Sequence, residues 1–249
     1  SATPPLGVDG GMVTATGEAD LRALRRRVAL DSTAMAVSAM AFGIVYGVAA
    51  RGAGFTVADV VFTSVTVFAG GSQFAAVGAV AQGVAIPFIV VMVAMLNARH
   101  LLYGAAMAPW VQSVPRLQRA AMAYALSDEA FALGIAHFRR AGRADVTGYW
   151  VGAALGTWFP WLVGTSLGAV IGGTVVDPAR LGLDVVFPAA MAGLAVGLAS
   201  GRREHAAAIA GASIGVGASL AFGTGAGIVL GGVLGPIVGL AVPEPDAAR

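Results

Sequence analysis

An apolar run from Val84 to Gln112 is interrupted near its midpoint by Asn97, Ala98, Arg99 and His100. A charged side chain near the middle of a bilayer costs about 2.5 to 3.5 kcal/mol on insertion scales, so such residues usually face a cavity. Arg99 could therefore bind an anionic group, and His100 could relay a proton because imidazole titrates near neutral pH. Structural alternatives stay open: Arg99 could lie at an interface or in a structural ion pair, and His100 could be neutral and hydrogen-bonded.

Asp128 and Glu129 are adjacent acidic residues at the centre of a weakly apolar segment, Ala120 to Phe138. The segment is expected to be an interfacial helix or a re-entrant element. If the two carboxylates are buried, they could bind a substrate ammonium group or exchange a proton, as carboxylates do in membrane cavities. If the segment is interfacial, they face water. The sequence favours neither alternative.

A third feature is a pair of adjacent glycines, Gly70 and Gly71, followed by Ser72 and Gln73 inside the apolar stretch from Val60 to Gln82. Each glycine weakens a helix by roughly 1 kcal/mol relative to alanine. A break is therefore expected at Gly70 to Gln73. Non-helical backbone at membrane depth is tolerated where it is buried in protein or lines a cavity, so the break also predicts a cavity.

The composition requires that these residues be positioned by membrane-spanning helices. Of the 249 residues, 57% are hydrophobic and 11% are charged, whereas soluble domains have about 25% charged residues. Three stretches without a charged residue, 60–98, 147–176 and 206–243, each exceed the roughly 20 residues that span a bilayer. The sequence thus predicts an all-α fold, a polytopic transmembrane helical bundle with broken or re-entrant helices.

All 15 basic residues are arginine, and cysteine is absent. Arginines beside apolar runs are typical of topology control by the positive-inside rule and by anionic lipid. We therefore expect the chain to contact the lipid bilayer and not to bind nucleic acid. Without cysteine, a disulfide or thiolate site is excluded. No nucleotide-binding or metal-binding motif is present, so no cofactor is expected.

The arginine distribution also predicts the topology. Residues 1–30 are expected to form a cytoplasmic tail that ends in a short charged helix, residues 31–243 a single membrane domain, and residues 244–249 a second cytoplasmic tail. The segments expected to cross once are 33–50, 84–110, 147–173, 185–200, 206–222 and 225–242. With a re-entrant hairpin at Gly70 and Gly71, the following arginines fall on the cytoplasmic side: Arg116, Arg119, Arg139, Arg140, Arg143, Arg202 and Arg203.

Glycines recur at every fourth position in three later segments, 148–156, 164–172 and 223–239. This spacing permits close approach of helices, and packing inside the bundle is favoured over a face for a partner subunit. The sequence G-x-S-x-G occurs twice, around Ser166 and around Ser213. With His205 as base, it would suit an intramembrane serine hydrolase. Helix packing explains these serines better, because the strand–turn–helix context of a nucleophile is missing.

Three blocks of sequence lie at the features described above: Phe68 to Phe74 (FAGGSQF), Leu96 to Gly104 (LNARHLLYG) and Ala125 to Leu133 (ALSDEAFAL). Two looser blocks are Tyr149 to Gly173 and Leu181 to Met191. Together they resemble, in the same order, the AzlC-type (azaleucine-resistance) large subunits of bacterial branched-chain amino-acid exporters. The sequence departs from the family pattern at Ala98, where a larger apolar residue is expected, and at Ser127, where threonine is expected.

The resemblance implies a secondary transporter, not an enzyme, that exports branched-chain or similar apolar amino acids across the bacterial inner membrane. It also implies a small hydrophobic AzlD-type partner subunit. Because the chain has no nucleotide-binding motif, a proton gradient is the expected energy source. The alternatives are a channel or scaffold subunit without transport of its own and, more remotely, the intramembrane hydrolase.

The family blocks coincide with the predicted breaks, and half-helix N-termini at such breaks bind substrate carboxylates in transporters. We therefore expect backbone N–H groups near Ser72 and Gln73, together with Arg99, to bind the carboxylate of the amino acid. The expected substrate-binding residues are Gly70, Gly71, Ser72, Gln73, Asn97, Arg99 and Tyr103. Those expected to couple transport to protons are His100, Asp128 and Glu129, and the expected apolar wall consists of Phe68, Phe74 and Leu101.

Overall fold

The computed structural model describes residues 18–174 and 201–243, and all regular structure in these two ranges is helical. The helices are α1 (Glu18–Gly52), α2 (Val57–Thr66), α3 (Gly70–Ala81), α4 (Ile86–Asn97), α5 (Arg99–Val111), α6 (Arg116–Tyr124), α7 (Asp128–Ala141), α8 (Val146–Ala153), α9 (Phe159–Gly172), α10 (Arg202–Phe222) and α11 (Thr224–Ala241). A π-helical turn, Ala154–Trp158, joins α8 to α9. The predictions for residues 1–17, 185–200 and 244–249 lie outside the described residues.

Five segments of the described chain are long and apolar enough to cross a membrane: Asp20–Gly52, Ile86–Val111, Val146–Gly172, Arg202–Phe222 and Thr224–Ala241. They correspond to five of the predicted crossings, and the all-α membrane fold is confirmed. The crossing at 185–200 is not among the described residues.

The first crossing is longer than predicted. The sequence predicted a short charged helix up to Arg27, separate from a span beginning at Thr33, but α1 is one continuous helix of 35 residues. Between Glu18 and Phe42 there is no glycine or proline to end it. The hydroxyl of Ser32 donates to the carbonyl of Ala29, and that of Thr33 donates to Leu30, so these polar residues fit within the helix.

The predicted break in the second apolar stretch exists, but it lies three residues earlier than expected. α2 ends at Thr66 and α3 begins at Gly70, so Gly70 and Gly71 start a helix and do not interrupt one. The interruption is centred on Phe68, whose φ of 40° is in the left-handed region. A bulky residue adopts that conformation at a cost of order 1–3 kcal/mol, and its surroundings must hold it there.

The other two interruptions differ from each other. α4 and α5 are separated by the single residue Ala98, which agrees with the predicted break at Asn97 to His100. The segment from Ala120 to Phe138 was predicted to be either an interfacial helix or a re-entrant element, with the acidic pair at its centre. It is divided into α6 and α7, and Asp128 begins α7. Its division into two helices agrees with a re-entrant element and not with one interfacial helix, and the acidic pair begins a helix and does not lie at the centre of one. The reason is local: Ser127 is extended, and its hydroxyl accepts the N–H of Ala130 as an N-cap at 3.1 Å.

Glycine packing holds the crossings together, as the favoured prediction stated. A side chain added at Gly164 would collide with the carbonyl of Met40, and one at Gly168 with that of Ile44. These contacts advance in the same direction along both helices, so α1 and α9 are parallel. α10 and α11 pack antiparallel in the same manner, with Gly235 facing Gly211. Small residues allow such backbone contact.

A polar cluster ties α1, α7 and α8 together near the start of α1. The guanidinium Nε of Arg25 donates to Asp145 at 2.8 Å, and Nε2 of His137 lies 2.9 Å from the same carboxylate. Burial raises the pKa of Asp145, but the hydrogen bonds from Arg25 and His137 outweigh burial and lower the pKa to about 2. The carboxylate is therefore ionised at neutral pH and fixes the start of α8.

Candidate functional site

Three of the predicted site residues form one connected group. Nη2 of Arg99, at the start of α5, lies 3.1 Å from Oδ2 of Asp128, at the start of α7. The hydroxyl of Tyr103, one turn after Arg99, donates to the other oxygen of the same carboxylate at 2.7 Å. The side chains of Arg99 and Asp128 are 23% and 41% exposed. The ion pair is therefore accessible from a neighbouring space and is not sealed in the core.

The break between α4 and α5 carries polar atoms with unused hydrogen-bonding capacity. Among the described residues, Oδ1 of Asn97 and Nε of Arg99 are buried and have no hydrogen-bond partner. One is an acceptor and the other is a donor. Buried polar groups are normally paired, and each exception calls for an explanation such as an absent ligand.

Glu129 and His100 each contact a residue two or three positions earlier in the chain. The hydroxyl of Ser127 donates to Glu129 at 2.9 Å, so Glu129 reinforces the N-cap of α7. Nδ1 of His100 lies 3.0 Å from the carbonyl oxygen of Asn97, and its ring contacts that of Tyr103 with centroids 5.6 Å apart. The acidic pair at the first turn of α7 also favours this helix electrostatically, because the N-terminus is the positive end of the helix dipole.

Ser72 and Gln73 are buried, and their side chains are engaged inside the α2–α3 hairpin. The hydroxyl of Ser72 donates to the carbonyl of Ala69. The side chain of Gln73 accepts the N–H of Ala69 and donates to Ser64, and the backbone N–H of Gln73 is bonded to Ala69. The side chains thus stabilise the hairpin tip, and the predicted binding of a carboxylate by backbone N–H groups near these residues stays a prediction.

The apolar residues near this tip form an aromatic cluster that sequence reasoning did not identify. Tyr46 of α1 stacks on Trp161 of α9 with centroids 5.7 Å apart and meets Phe74 edge-on at 5.5 Å. Trp161 also lies against Gly70 at the start of α3. Phe68 is buried in the same cluster, whereas Leu101, predicted as part of the apolar wall, is 76% exposed on α5.

The α2–α3 segment and the α6–α7 segment contact each other close to the points at which they are interrupted. The hydroxyl of Tyr124, the last residue of α6, donates to the carbonyl oxygen of Val65, near the end of α2, at 2.6 Å. Asp128, which pairs with Arg99, follows Tyr124 by four residues. Neither Tyr124 nor Tyr46 was predicted from sequence, because nothing in the spacing shows that distant helix ends converge. The sequence signal that could have identified Tyr124 is its position as a tyrosine at the end of a broken apolar segment.

The described residues contain no group of acidic, histidine or cysteine side chains that could hold a metal ion. The arrangement is instead suited to binding a ligand through charge and hydrogen bonds. Arg99 offers a cation, Asp128 an anion, and Asn97 an acceptor at the same helix break. A small molecule that carries both charges would match this set.

Comparison with known proteins supports the resemblance seen in the sequence. The family described as AzlC protein matches residues 34–175. The inner membrane protein YgaZ of Escherichia coli is 30% identical over 143 residues, which are 57% of this chain and 58% of that protein. The chain therefore spans little more than half the length of this relative. An uncharacterized membrane protein of Archaeoglobus fulgidus is 27% identical over 78% of this chain and 84% of its own length. No solved structure matches.

Proposed function

Because this chain belongs to the AzlC family, we propose that it is a secondary transporter that exports branched-chain or similar apolar amino acids. The observation that carries the proposal is the pair of unsatisfied buried atoms at the α4–α5 break, Oδ1 of Asn97 and Nε of Arg99, beside the Arg99–Asp128 pair. An amino acid brings one carboxylate and one ammonium group, which are the complements of these atoms.

When the amino acid binds, the ion pair between Arg99 and Asp128 is replaced by two ion pairs. Arg99 then pairs with the substrate carboxylate, and Asp128 pairs with the substrate ammonium group. The substrate carboxylate accepts hydrogen bonds from the guanidinium of Arg99, which favours planar carboxylates. The ammonium group donates to Asp128 and to Oδ1 of Asn97, and Tyr103 holds the Asp128 carboxylate in place. Charge is balanced before and after binding, so the zwitterion does not leave an uncompensated charge at membrane depth.

Proton coupling follows from competition for Asp128. A proton on this carboxylate removes its negative charge and therefore weakens its bond to the substrate ammonium group. On the proton-rich side, protonation of Asp128 releases the ammonium group, and on the other side loss of the proton restores the site. Export is then exchanged for proton entry, and the direction agrees with an antiporter driven by the proton gradient.

The remaining parts of the proposal rest on the family resemblance and on the arginine distribution. We propose a location in the inner membrane with a cytoplasmic N-terminus, because the arginines at 25–27, 139, 140 and 143 would lie at that end. We also propose a small hydrophobic AzlD-type partner subunit, for which the resemblance is the sole support.

A competition experiment on purified protein tests the substrate class. Binding of labelled L-valine in detergent should be displaced by L-leucine, whereas isovalerate, which lacks the ammonium group, and valinamide, which lacks the carboxylate, should compete at least about tenfold more weakly. Displacement by isovalerate or valinamide as strong as that by L-leucine would contradict the zwitterion site.

A matched pair of variants tests the role of Arg99. Arg99→Gln should weaken valine binding at least about tenfold, since a hydrogen bond to a charged group contributes about 1.5–3 kcal/mol. Arg116→Gln removes the same charge at the exposed start of α6 and should leave binding unchanged. Equal binding by wild type and Arg99→Gln, with both variants monodisperse, would remove Arg99 from the site.

A further inference from the structure

The first hairpin, α2 and α3, returns to the end of the molecule at which it begins. Phe55 and Asp59, at the start of α2, line the same shallow cavity as Val80, near the end of α3. Deeper in the hairpin, Gln73 donates to Ser64 across the two arms. One straight helix would hold Asp59 and Val80 about 30 Å apart at 1.5 Å per residue, so the arms run in opposite directions.

The second hairpin, α6 and α7, also turns back. Trp110, near the end of α5, contacts Phe138, near the end of α7, with ring centroids 6.2 Å apart. Val114, two residues before α6, is buried in the same cluster as Phe138. The ring of Tyr149 on α8 lies against α7 at Gly134, and its hydroxyl donates to α6. The end of α7 therefore lies at the same depth in the molecule as the start of α6.

The two hairpins open at opposite ends of α1. The second hairpin ends beside the first half of α1, where Arg140 pairs with Asp31 at 3.3 Å. The first hairpin opens beside Ala53, which directly follows α1. These two positions are about 30 Å apart along the chain at 1.5 Å per residue. That distance is close to the thickness of a bilayer's hydrocarbon core.

Each hairpin follows one membrane crossing. α1 precedes the first hairpin, and the α4–α5 crossing precedes the second. Because the first hairpin returns to its starting end, α1 and α4–α5 cross in opposite directions. The chain thus contains two consecutive units, each a crossing followed by a hairpin, with inverted orientation. Inverted repeats with discontinuous helices at the substrate site are common in secondary transporters.

The tips of the hairpins are in contact through Tyr124 and Val65, whose hydroxyl and carbonyl oxygen are 2.6 Å apart. Asp128 begins α7 directly after this tip and pairs with Arg99. The contact therefore lies beside the charged residues to which the substrate is proposed to bind.

We propose that the two hairpins are the two gates of the transporter and that Tyr124 is the gating residue that joins them. This inference rests on the proposed transport function. Movement of the α2–α3 hairpin breaks the Tyr124–Val65 bond and opens the site to one side. Movement of the α6–α7 hairpin breaks the same bond and opens the site to the other side.

The orientation of the hairpins is tested by labelling single cysteines, which the native chain lacks. In spheroplasts, a membrane-impermeant maleimide should label Val57→Cys and Gln82→Cys, at the mouth of the first hairpin. It should label Gln118→Cys and Arg143→Cys, at the mouth of the second, only after permeabilisation. All four positions are exposed. Labelling of Val57→Cys and Gln82→Cys from opposite sides would overturn the inverted arrangement.

The gating role is tested by joining the tips. A flexible bifunctional thiol reagent that forms mixed disulfides should cross-link Val65→Cys with Tyr124→Cys in the double variant. We expect valine exchange in proteoliposomes to fall at least tenfold and to recover on reduction. Each single-cysteine variant, treated identically, is compared with its own untreated rate, and the treatment should not change that rate. A cross-linked double variant that exchanges valine at the uncross-linked rate would overturn the gating role and leave the transport function standing.

Failure of the transport function itself gives a different result. If wild-type protein binds no valine and exchanges none, the gating proposal falls together with the proposed function. The maleimide labelling would still establish whether the hairpins open at opposite faces.

Discussion

Asp128 is the residue on which the proposed mechanism of proton coupling depends. It forms an ion pair with Arg99 and accepts a hydrogen bond from Tyr103, whereas its neighbour Glu129 accepts a hydrogen bond from Ser127. The two carboxylates are adjacent in sequence but have different partners. They should therefore differ in function, which the sequence alone did not indicate.

Asp128→Asn should uncouple transport from protons without abolishing exchange. The amide oxygen can still accept a bond from the substrate ammonium group, but it cannot release a proton. Exchange of labelled valine should persist with a weaker affinity, and its acceleration by an imposed pH gradient should disappear. Glu129→Gln is the matched control and should keep the response. If Asp128→Asn responds to the gradient as wild type does, the coupling group lies elsewhere, and His100 is the next candidate.

Asp145 should make stability depend on pH in the acid range. Its folded pKa of about 2 is below the ordinary value of about 3.9, so its stabilisation is present above about pH 4 and is lost as pH falls toward 2. The difference corresponds to about 2 kcal/mol at neutral pH. Asp145→Asn should lower the thermal unfolding temperature in detergent at pH 7 and reduce its loss on acidification.

Asp31→Asn is the control for this measurement. Asp31 pairs with Arg140 at 3.3 Å, but both side chains are about 40% exposed, and exposed pairs contribute about 0–1 kcal/mol. Its unfolding temperature should therefore stay near that of wild type. A smaller effect of Asp145→Asn than of Asp31→Asn would show that the buried cluster does not stabilise the fold.

The sequence identified most of the residues of the charged group but not their pairing. Arg99 could be selected because an arginine inside an apolar run needs an explanation. Its contact with Asp128 joins helices far apart in sequence, and no local pattern specifies it. Gln73 was selected for its position beside glycines, but its side chain closes the hairpin tip. Sequence spacing cannot distinguish a side chain that caps its own helix from one that faces a ligand.

At the scale of helices, the α1–α9 pair depends on glycine more than on any other residue type. Gly168→Ala should destabilise the protein by about 1–3 kcal/mol, the usual effect of overpacking, because a Cβ there collides with the carbonyl of Ile44. Gly217→Ala is the control, since it lies in a helix and has open space around it. Thermal unfolding in detergent compares them. Equal unfolding temperatures would contradict close backbone packing of α1 on α9.

The sequence indicated which apolar segments are interrupted, but it did not indicate the residues at which the interruptions lie. Glycine propensity indicated a break near Gly70, yet the helix restarts at that residue and the strained conformation belongs to Phe68. Ser127 interrupts the second segment through its capping bond to Ala130. Propensity describes each residue alone, whereas the position of a break is set by capping bonds and by tertiary packing.

For the whole molecule, composition and arginine placement were sufficient to predict a helical membrane protein and most of its crossings. They were not sufficient to show that the two hairpins meet. The contact between Tyr124 and Val65 joins residues from separate hairpins, and such contacts depend on how the crossings pack. The parallel arrangement of α1 and α9 likewise became evident only from their glycine contacts.

Counterflow in proteoliposomes tests the central claim, that this chain transports amino acids, most directly. Vesicles containing the purified protein, alone or with the proposed AzlD-type subunit, are loaded with unlabelled L-valine and diluted into a trace of labelled L-valine. We predict transient accumulation of label above its equilibrium level, and its reduction at least tenfold in Arg99→Gln but not in Arg116→Gln. A channel would let the label equilibrate without accumulation, and a scaffold would admit none. Either result, with and without the partner, would contradict the account.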